Sequence, residues 1–389
     1  ESFGYDPIET PVIEYAETIL GKYGEEGDKL TYSFKDNGDR DVALRYDQTV
    51  PFARYFAANH GALPQPFKRY EINRVWRADK PQRGRYREFY QCDVDIIGTD
   101  SILAELELVK IMAESFTALG FEEFVIKVND RKLINSILER LEIQNELFVP
   151  VVRIIDKLDK IGLSKVSAEF KELGLSEFQV KKLEHLLSAS ENLDEFKEFN
   201  TETLDKLFEY IQGTPLAKFI KFDVSLARGL DYYTGVIFEA TIPDTGLGSV
   251  AGGGRYANLC GSFSKQSFSG VGIALGFDRL IDAMETLGLF KEVKTNSQVL
   301  VTIFSPEFAK KSLEIYDHLR SLNINTEIYF DSNDKLSKQM KFADRKGVPF
   351  VVVIGPDESA KGIVQLKNMQ NGVSEDLKIE DLGSKLLVF

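Results

Sequence analysis

The stretch RVWRADKPQRGRYREFYQCDVDII, residues 74–97, gathers side chains that could do chemistry. Residues 68–91 carry eight Lys/Arg against three Asp/Glu, in a chain whose formal net charge is −13. Two runs of alternating apolar residues flank an arginine-rich loop, the pattern of a hairpin. In the second run Phe89, Gln91, Asp93 and Asp95 share one face, because strand side chains alternate with period two. Tyr90, Cys92, Val94 and Ile96 share the other, which is apolar and packable. The first face sets a ring, an amide and two carboxyls in a row, acceptors suited to an amine or an imidazole. Arg77, Arg85 and Arg87, at the strand ends, carry planar forks that match phosphate oxygens. A hairpin with a solvated, ion-paired face fits the same spacing, and spacing alone leaves both readings open.

Four more segments stand out. SLARGLDYYTGVIFEA, residues 225–240, is a glycine-containing turn with an arginine and two tyrosines feeding a strand. AGGGRYANL, residues 251–259, allows close backbone approach to a ligand. GVGIALGFDRLIDAM, residues 270–284, reads as a short strand and then a helix opening near Gly276, with Arg279 early in it. LRYDQTVPFARY, residues 44–55, carries Asp47 and Thr49. Each taken singly is equally a structural turn or a helix surface.

Together and in this order, the segments resemble the signatures of class II histidyl-tRNA synthetases. The string around Arg77 resembles motif 2, RGLDYY the histidine-specific signature, GGRY a further family segment, residues 270–284 motif 3, and YDPIETPVIE, with Pro11, the end of motif 1. The resemblance implies that the chain activates L-histidine with ATP and Mg²⁺ and loads it onto tRNA(His), as a homodimer built through motif 1. It implies Arg77 and Arg228 as catalytic residues at the α-phosphate and the amino-acid carboxylate. Asp47, Thr49, Gln91, Asp95, Tyr233 and Tyr256 would bind histidine; Arg77, Arg85, Phe89 and Arg279 would bind ATP. Asp79 stands where many members have Glu, and Ala257 where the family usually has Asp. Non-catalytic paralogues, a regulatory subunit of histidine biosynthesis and a synthetase-like module of a stress-response kinase, share the resemblance. Loss of motifs would mark them, whereas Arg77, Arg228 and Arg279 are present.

These residues need a frame. Residues 1–125 read as short strands and turns, 131–215 as helices from apolar spacings of three and four, and 218–280 as strands again. Lys291–Gln298 reads as a linker. The final segment alternates strands and helices, with a helix ending at Gly347, which predicts a largely parallel α/β sheet. The expected fold is an α+β catalytic domain on an antiparallel sheet, with a helical insertion and a C-terminal α/β anticodon-binding domain. The expected divisions are 1–130 and 218–292 for the catalytic parts, 131–217 for the insertion and 296–389 for the anticodon-binding domain.

Composition sets limits. At 389 residues, 43% hydrophobic and 28% charged, the chain has the make-up of a globular protein of two or three domains. No apolar run reaches the ~18 residues of a membrane span, and no secretory leader pattern is seen. The chain opens at Glu1 within sequence that reads as structured, so a preceding segment is expected. Cys92 and Cys260 lie far apart without a CxxC, against a disulfide framework or zinc site and consistent with a reducing cytoplasm. His60, His185 and His318 sit in unrelated contexts, which speaks against a histidine-based triad or metal site. No GxxxxGK[ST] loop occurs, so ATP would be held in the class II manner.

Overall fold

The hairpin of residues 67–97 is the backbone of the larger part of the molecule. In the computed structural model, which describes residues 1–189, 191–227, 232–290 and 294–386, two compact units are found, Glu1–Leu289 and Phe290–Phe389. The strands of the first are β1 (Asp6–Pro7), β2 (Ile13–Tyr15), β3 (Ser33–Lys35), β4 (Asp41–Leu44), β5 (Phe67–Trp76), β6 (Glu88–Ile97), β7 (Val125–Asp130), β8 (Ile220–Phe222), β9 (Val236–Thr241), β10 (Ala251–Tyr256) and β11 (Gly270–Gly276). Among the described residues they make an eight-stranded sheet, ordered β1-β5-β6-β11-β10-β9-β7-β8, and a three-stranded sheet, β2-β4-β3. The larger sheet is antiparallel from β5 to β7, with parallel strands at its two edges.

Residues 1–125 hold more helix than their sequence suggests. Thr49–Asn59 is a helix that buries Val50, Phe52, Ala53, Phe56 and Ala57. Pro51 obscures its periodicity, but it falls in the first turn, where the missing N–H has no helical acceptor to lose. Leu103–Ala118 is a sixteen-residue helix that buries Leu108, Met112 and Phe116 at a spacing of four. It packs against β10 and β11. There the buried Glu105 receives Arg255 from the GGRY segment, whose guanidinium also donates to the Thr99 carbonyl at 2.8 Å and Ser269 Oγ at 2.7 Å. Between β7 and β8 the chain forms helices from Arg131–Arg140 to Glu202–Ile211. Asp130 caps the first by accepting from the Lys132 amide, and Ser176 and Gln179 form a capping box on Glu177–Ser188. Their apolar faces, Ile137, Val151 and Leu183 among them, join the core beneath the sheet.

The second unit is α/β, but its sheet is mixed and not largely parallel. Strands β12 (Val299–Val301), β13 (Thr326–Ile328) and β14 (Phe350–Val353) are parallel, in the order β13-β12-β14. β15 (Val364–Asn368) and β16 (Ser374–Leu377) extend it as an antiparallel hairpin. A short hairpin turn needs no crossover helix, which is why the helical alternation stops there. The helix Leu336–Lys346 ends at Gly347 in the left-handed conformation, φ 76°. The expected linker Lys291–Gln298 lies in part outside the described residues.

Glu105→Ala leaves Arg255 buried with only the exposed Asp100, 3.9 Å away, as counter-ion, and loss of a buried partner costs about 3–5 kcal/mol in comparable pairs. Urea unfolding of the full chain is expected to show a loss of that order.

Candidate active site

Register brings the polar face of β6 against two neighbours. On one side Arg69, Glu71 and Asn73 of β5 stand opposite Asp95, Asp93 and Gln91. On the other, β11 offers Gly272, Ala274 and Gly276 to the same three residues, and β10 continues with Gly254 and Gly252. Small residues on two adjacent strands form the floor of a trough, and β5 and β6 form a charged wall. A β-carbon at Gly272 would fall 2.0 Å from Asp95 Oδ1, and one at Gly254 would fall 3.0 Å from the Tyr233 ring. Glycine at these positions lets both side chains lie across the floor.

The wall is buried. Arg45 and Arg69 have no solvent exposure, and Glu71, Asp93 and Asp95 have 1% each. Arg69 stands 2.9 Å from Asp95 Oδ2 and 3.3 Å from Glu71 Oε2 and donates to the Gln48 carbonyl. Arg45 pairs with Glu71 Oε1 at 2.7 Å and donates to the Thr10 carbonyl. Tyr256 donates to Asp95 Oδ1 at 2.7 Å. Asp47 accepts from Tyr23 at 2.8 Å, from the Val50 amide at 3.0 Å and from Tyr232 at 3.0 Å. Thr49 opens the helix beside it. Burial, ahead of every other cause, raises the pKa of Asp47, Glu71, Asp93 and Asp95, with Arg69 opposing the rise at the last three. Asp93 lies well above the usual carboxylate range; Asp95, Asp47 and Glu71 add to its shift.

The other end is cationic. Arg77 donates to the Tyr46 carbonyl at 3.0 Å and to Gln91 Oε1 at 3.4 Å, and its guanidinium lies 4.3 Å from the Tyr46 ring centre and 5.2 Å from that of Phe89. Arg279 donates to the Gly84 carbonyl at 2.6 Å and to that of Ser249. Its pKa is depressed by burial and then by Arg85 and Arg77, the sign of cations crowded together. Arg85 is half-exposed and lies 3.7 Å from Asp79. Asp79 also accepts from Arg87 through its carbonyl, and Ala257 contributes its amide to Thr234 Oγ1 at 2.9 Å. The trough thus holds excess carboxyl at one end and excess guanidinium at the other.

Comparison with known proteins follows this geometry. The histidyl-tRNA synthetase family model matches residues 1–280, and the anticodon binding domain model matches residues 298–388. The histidine–tRNA ligase of Bacteroides fragilis strain YCH46 is 40% identical over 98% of this chain and 91% of its own length. The chain belongs to the histidyl-tRNA synthetase family. That of Wolinella succinogenes is 42% identical over 96% of this chain and 88% of its own. The crystal structure of histidyl-tRNA synthetase from Nostoc sp. PCC 7120 superposes with a TM-score of 0.85 at 31% identity, covering 100% of this chain and 92% of that one.

Of the family positions expected from sequence, Asp47, Thr49, Gln91, Asp95, Tyr233 and Tyr256 gather toward the acidic end. Arg77, Arg85, Phe89 and Arg279 gather toward the basic end. Arg228 lies outside the described residues, as do Gly229, Leu230 and Asp231. Sequence reasoning passed over Arg45, Arg69, Glu71, Tyr23 and Tyr232. A signal for two of them exists: Arg69 and Glu71 alternate along β5, and a hairpin centred on Gln82 pairs them with Asp95 and Asp93. Arg45 lies in the LRYDQTVPFARY segment, two residues before Asp47, whereas Tyr23 reaches the site from a separate segment and leaves no such signal.

A carboxyl whose folded pKa is raised contributes stability that is complete below its unfolded value, about 3.9 for Asp, and is lost as pH climbs toward the folded value. Asn cannot ionise. Asp93→Asn is therefore expected to gain stability relative to the wild type as pH rises from about 4 through neutrality. Thermal melts across that range check this; a constant difference would mean that Asp93 ionises normally.

Proposed function

We propose that this chain is a histidine–tRNA ligase: it joins L-histidine to ATP as histidyl-adenylate, releasing diphosphate, then transfers the histidyl group to the 3′ end of tRNA(His). The observation that carries this reading is the polarity of the trough. An amino acid brings a cation and, in histidine, ring N–H groups to the acidic end, and the triphosphate of ATP meets Arg77, Arg85 and Arg279 at the other. In this reading Asp47 and Thr49 hold the α-ammonium, Gln91 lies at the carboxylate end, and Asp95, Tyr233 and Tyr256 hold the imidazole. Phe89 stacks on adenine, and Arg279 exchanges its two carbonyl partners for phosphate. The histidine carboxylate attacks the α-phosphorus, and the bond to the bridging oxygen breaks as diphosphate leaves. That step needs alignment and neutralisation of charge more than proton transfer. Mg²⁺ would enter with the β- and γ-phosphates, which take the few ligands that this ion exchanges for water.

The catalytic parts are assigned to 1–130 and 218–292, the helical insertion to 131–217 and the anticodon-binding domain to 296–389. Exposed Ile13, Tyr15 and Phe34 on the three-stranded sheet, beside Pro11, support a homodimer through this face. Two free thiols suit a reducing cytoplasm. Among the described residues no helix is long and apolar enough to cross a membrane.

ATP–diphosphate exchange over a panel of amino acids is expected to respond to histidine alone; exchange driven by another amino acid would overturn the assignment. Arg228 is proposed to bridge the histidine carboxylate and the α-phosphate. In single-turnover adenylate formation at saturating substrates, Arg228→Ala is expected to be slower by about 10²–10³, and Arg228→Lys nearly as slow, since an ammonium cannot span two anions as a fork does.

The second unit presents Phe330, 94% exposed, just beyond β13. A ring so placed offers a stacking face to an unpaired base of the anticodon loop. Phe330→Ala is expected to raise the KM for tRNA(His) roughly tenfold and to leave ATP–diphosphate exchange unchanged.

A further inference from the structure

Asp93 stands in the middle of the trough with the least company of its carboxyls. Asp95 is held by Tyr256 and Arg69, Asp47 by two tyrosines and an amide, and Glu71 by Arg45, Arg69 and Thr10. Asp93 is 1% exposed, and its Oδ1 has no hydrogen-bond partner. Among the described residues no cation stands within ion-pair distance of it. Folded proteins rarely leave a buried acceptor in this state unless water, an ion or a ligand completes it.

We propose that Asp93 is a further substrate-binding residue of the amino-acid site, its Oδ1 being the acceptor kept open for the α-ammonium of the substrate. The inference rests on assigning the trough to histidine. Side chains two apart on a strand stand about 6.8 Å from one another. Gln91, touched by Arg77, marks the end where the reacting carboxylate belongs, and Asp95, joined to Tyr256, marks the ring end. The α-carbon, which bears the ammonium, lies between carboxylate and ring in the amino acid, and Asp93 lies between Gln91 and Asp95 on the wall. Its opposite neighbour on β11 is Ala274, which brings no polar group to compete.

The charges facing Asp93 decide its state in the empty site. Arg69 and Glu71 face it from β5, Asp95 from its own strand and Asp47 from the segment before the helix Thr49–Asn59; Arg45 lies behind Glu71, and Tyr233 closes the side toward β10. Burial, with three carboxyls against two arginines already engaged, pushes Asp93 toward its neutral form until a cation arrives. When the ammonium docks, the Asp93 O–H bond breaks, its proton leaves to solvent, and the carboxylate accepts an ammonium N–H. Substrate binding is thereby coupled to proton release.

The experiment is calorimetric titration of the full chain at neutral pH, in two buffers of different ionisation heat. The probes are L-histidine and 3-(imidazol-4-yl)propionate, the same molecule without its amino group. The wild type is expected to release a proton on binding histidine and none on binding the deamino compound. Asp93→Asn is expected to bind histidine about tenfold or more weakly, to release no proton, and to bind the deamino compound and ATP as the wild type does. Equal losses for both probes, or unchanged histidine affinity and proton release, would overturn the inference. If the substitution also abolishes ATP binding, Asp93→Ser is taken through the same titrations and judged by the same outcomes. A wild type that binds ATP and not histidine would instead refute the assignment of the trough itself.

Discussion

A guanidinium with no access to water, that of Arg69, is the constraint from which the rest of the site follows. A buried cation is costly unless it is paired and hydrogen-bonded. Arg69 meets that requirement only where β5 and β6 align it with Asp95 and set Glu71 beside it. A slip of one residue would turn the whole set to the opposite face, so the ion pairs and the strand register enforce one another. Arg45 extends the arrangement. It ties Glu71 to the Thr10 carbonyl, next to Pro11, and so couples the segment proposed to meet a second subunit to the wall of the trough. Asp95 is therefore held from two sides before any substrate arrives, which is the condition for selective recognition.

Neither end of the trough is at rest when empty. Four carboxyls share two buried arginines at one end, and burial pushes all four toward the neutral form. At the other, Arg279 is crowded by Arg85 and Arg77 and donates to two backbone carbonyls. In the proposed binding mode those carbonyls would return to solvent or to other donors as phosphate took their place, so the net gain per contact would be smaller than the bare attraction. Favourable charge at both ends is realised together only when an ammonium and a phosphate chain lie in the same trough.

How far the sequence reveals this depends on which links are local. The face Phe89–Gln91–Asp93–Asp95 is legible from period two alone, but whether water covers it is not, because burial is supplied by Arg69, Gly272 and Tyr256 from three other strands. The family signatures add those strands as company without giving their register. The helix Thr49–Asn59 is hidden by Pro51, and its register matters, since it carries Asp47's amide donor at Val50. Arg255 shows the opposite failure. It lies inside a glycine-rich signature beside Tyr256, yet alternation along β10 turns it to the far face, where Glu105 holds it. A motif marks a segment; the face each residue takes is a property of the sheet.

In the proposed site, selectivity for histidine would follow from charge more than from size. A pocket that distinguished substrates by one methylene would gain only about 1–3 kcal/mol. A wall of buried carboxyls does more, because a substrate that fails to supply N–H donors leaves them unpaired in a medium where that is costly. The same wall limits its own strength. Carboxyls raised toward neutrality by burial lose the charge that attracts a cation, and each added acid raises its neighbours further. Arg69 resolves the conflict by holding Asp95 ready as an acceptor, while Asp93, with no such partner, remains free to change its protonation with the occupant. Positive charge placed beneath the site thus divides two chemically identical side chains, four residues apart at most from Gln91 on one strand, into a fixed acceptor and a responsive one.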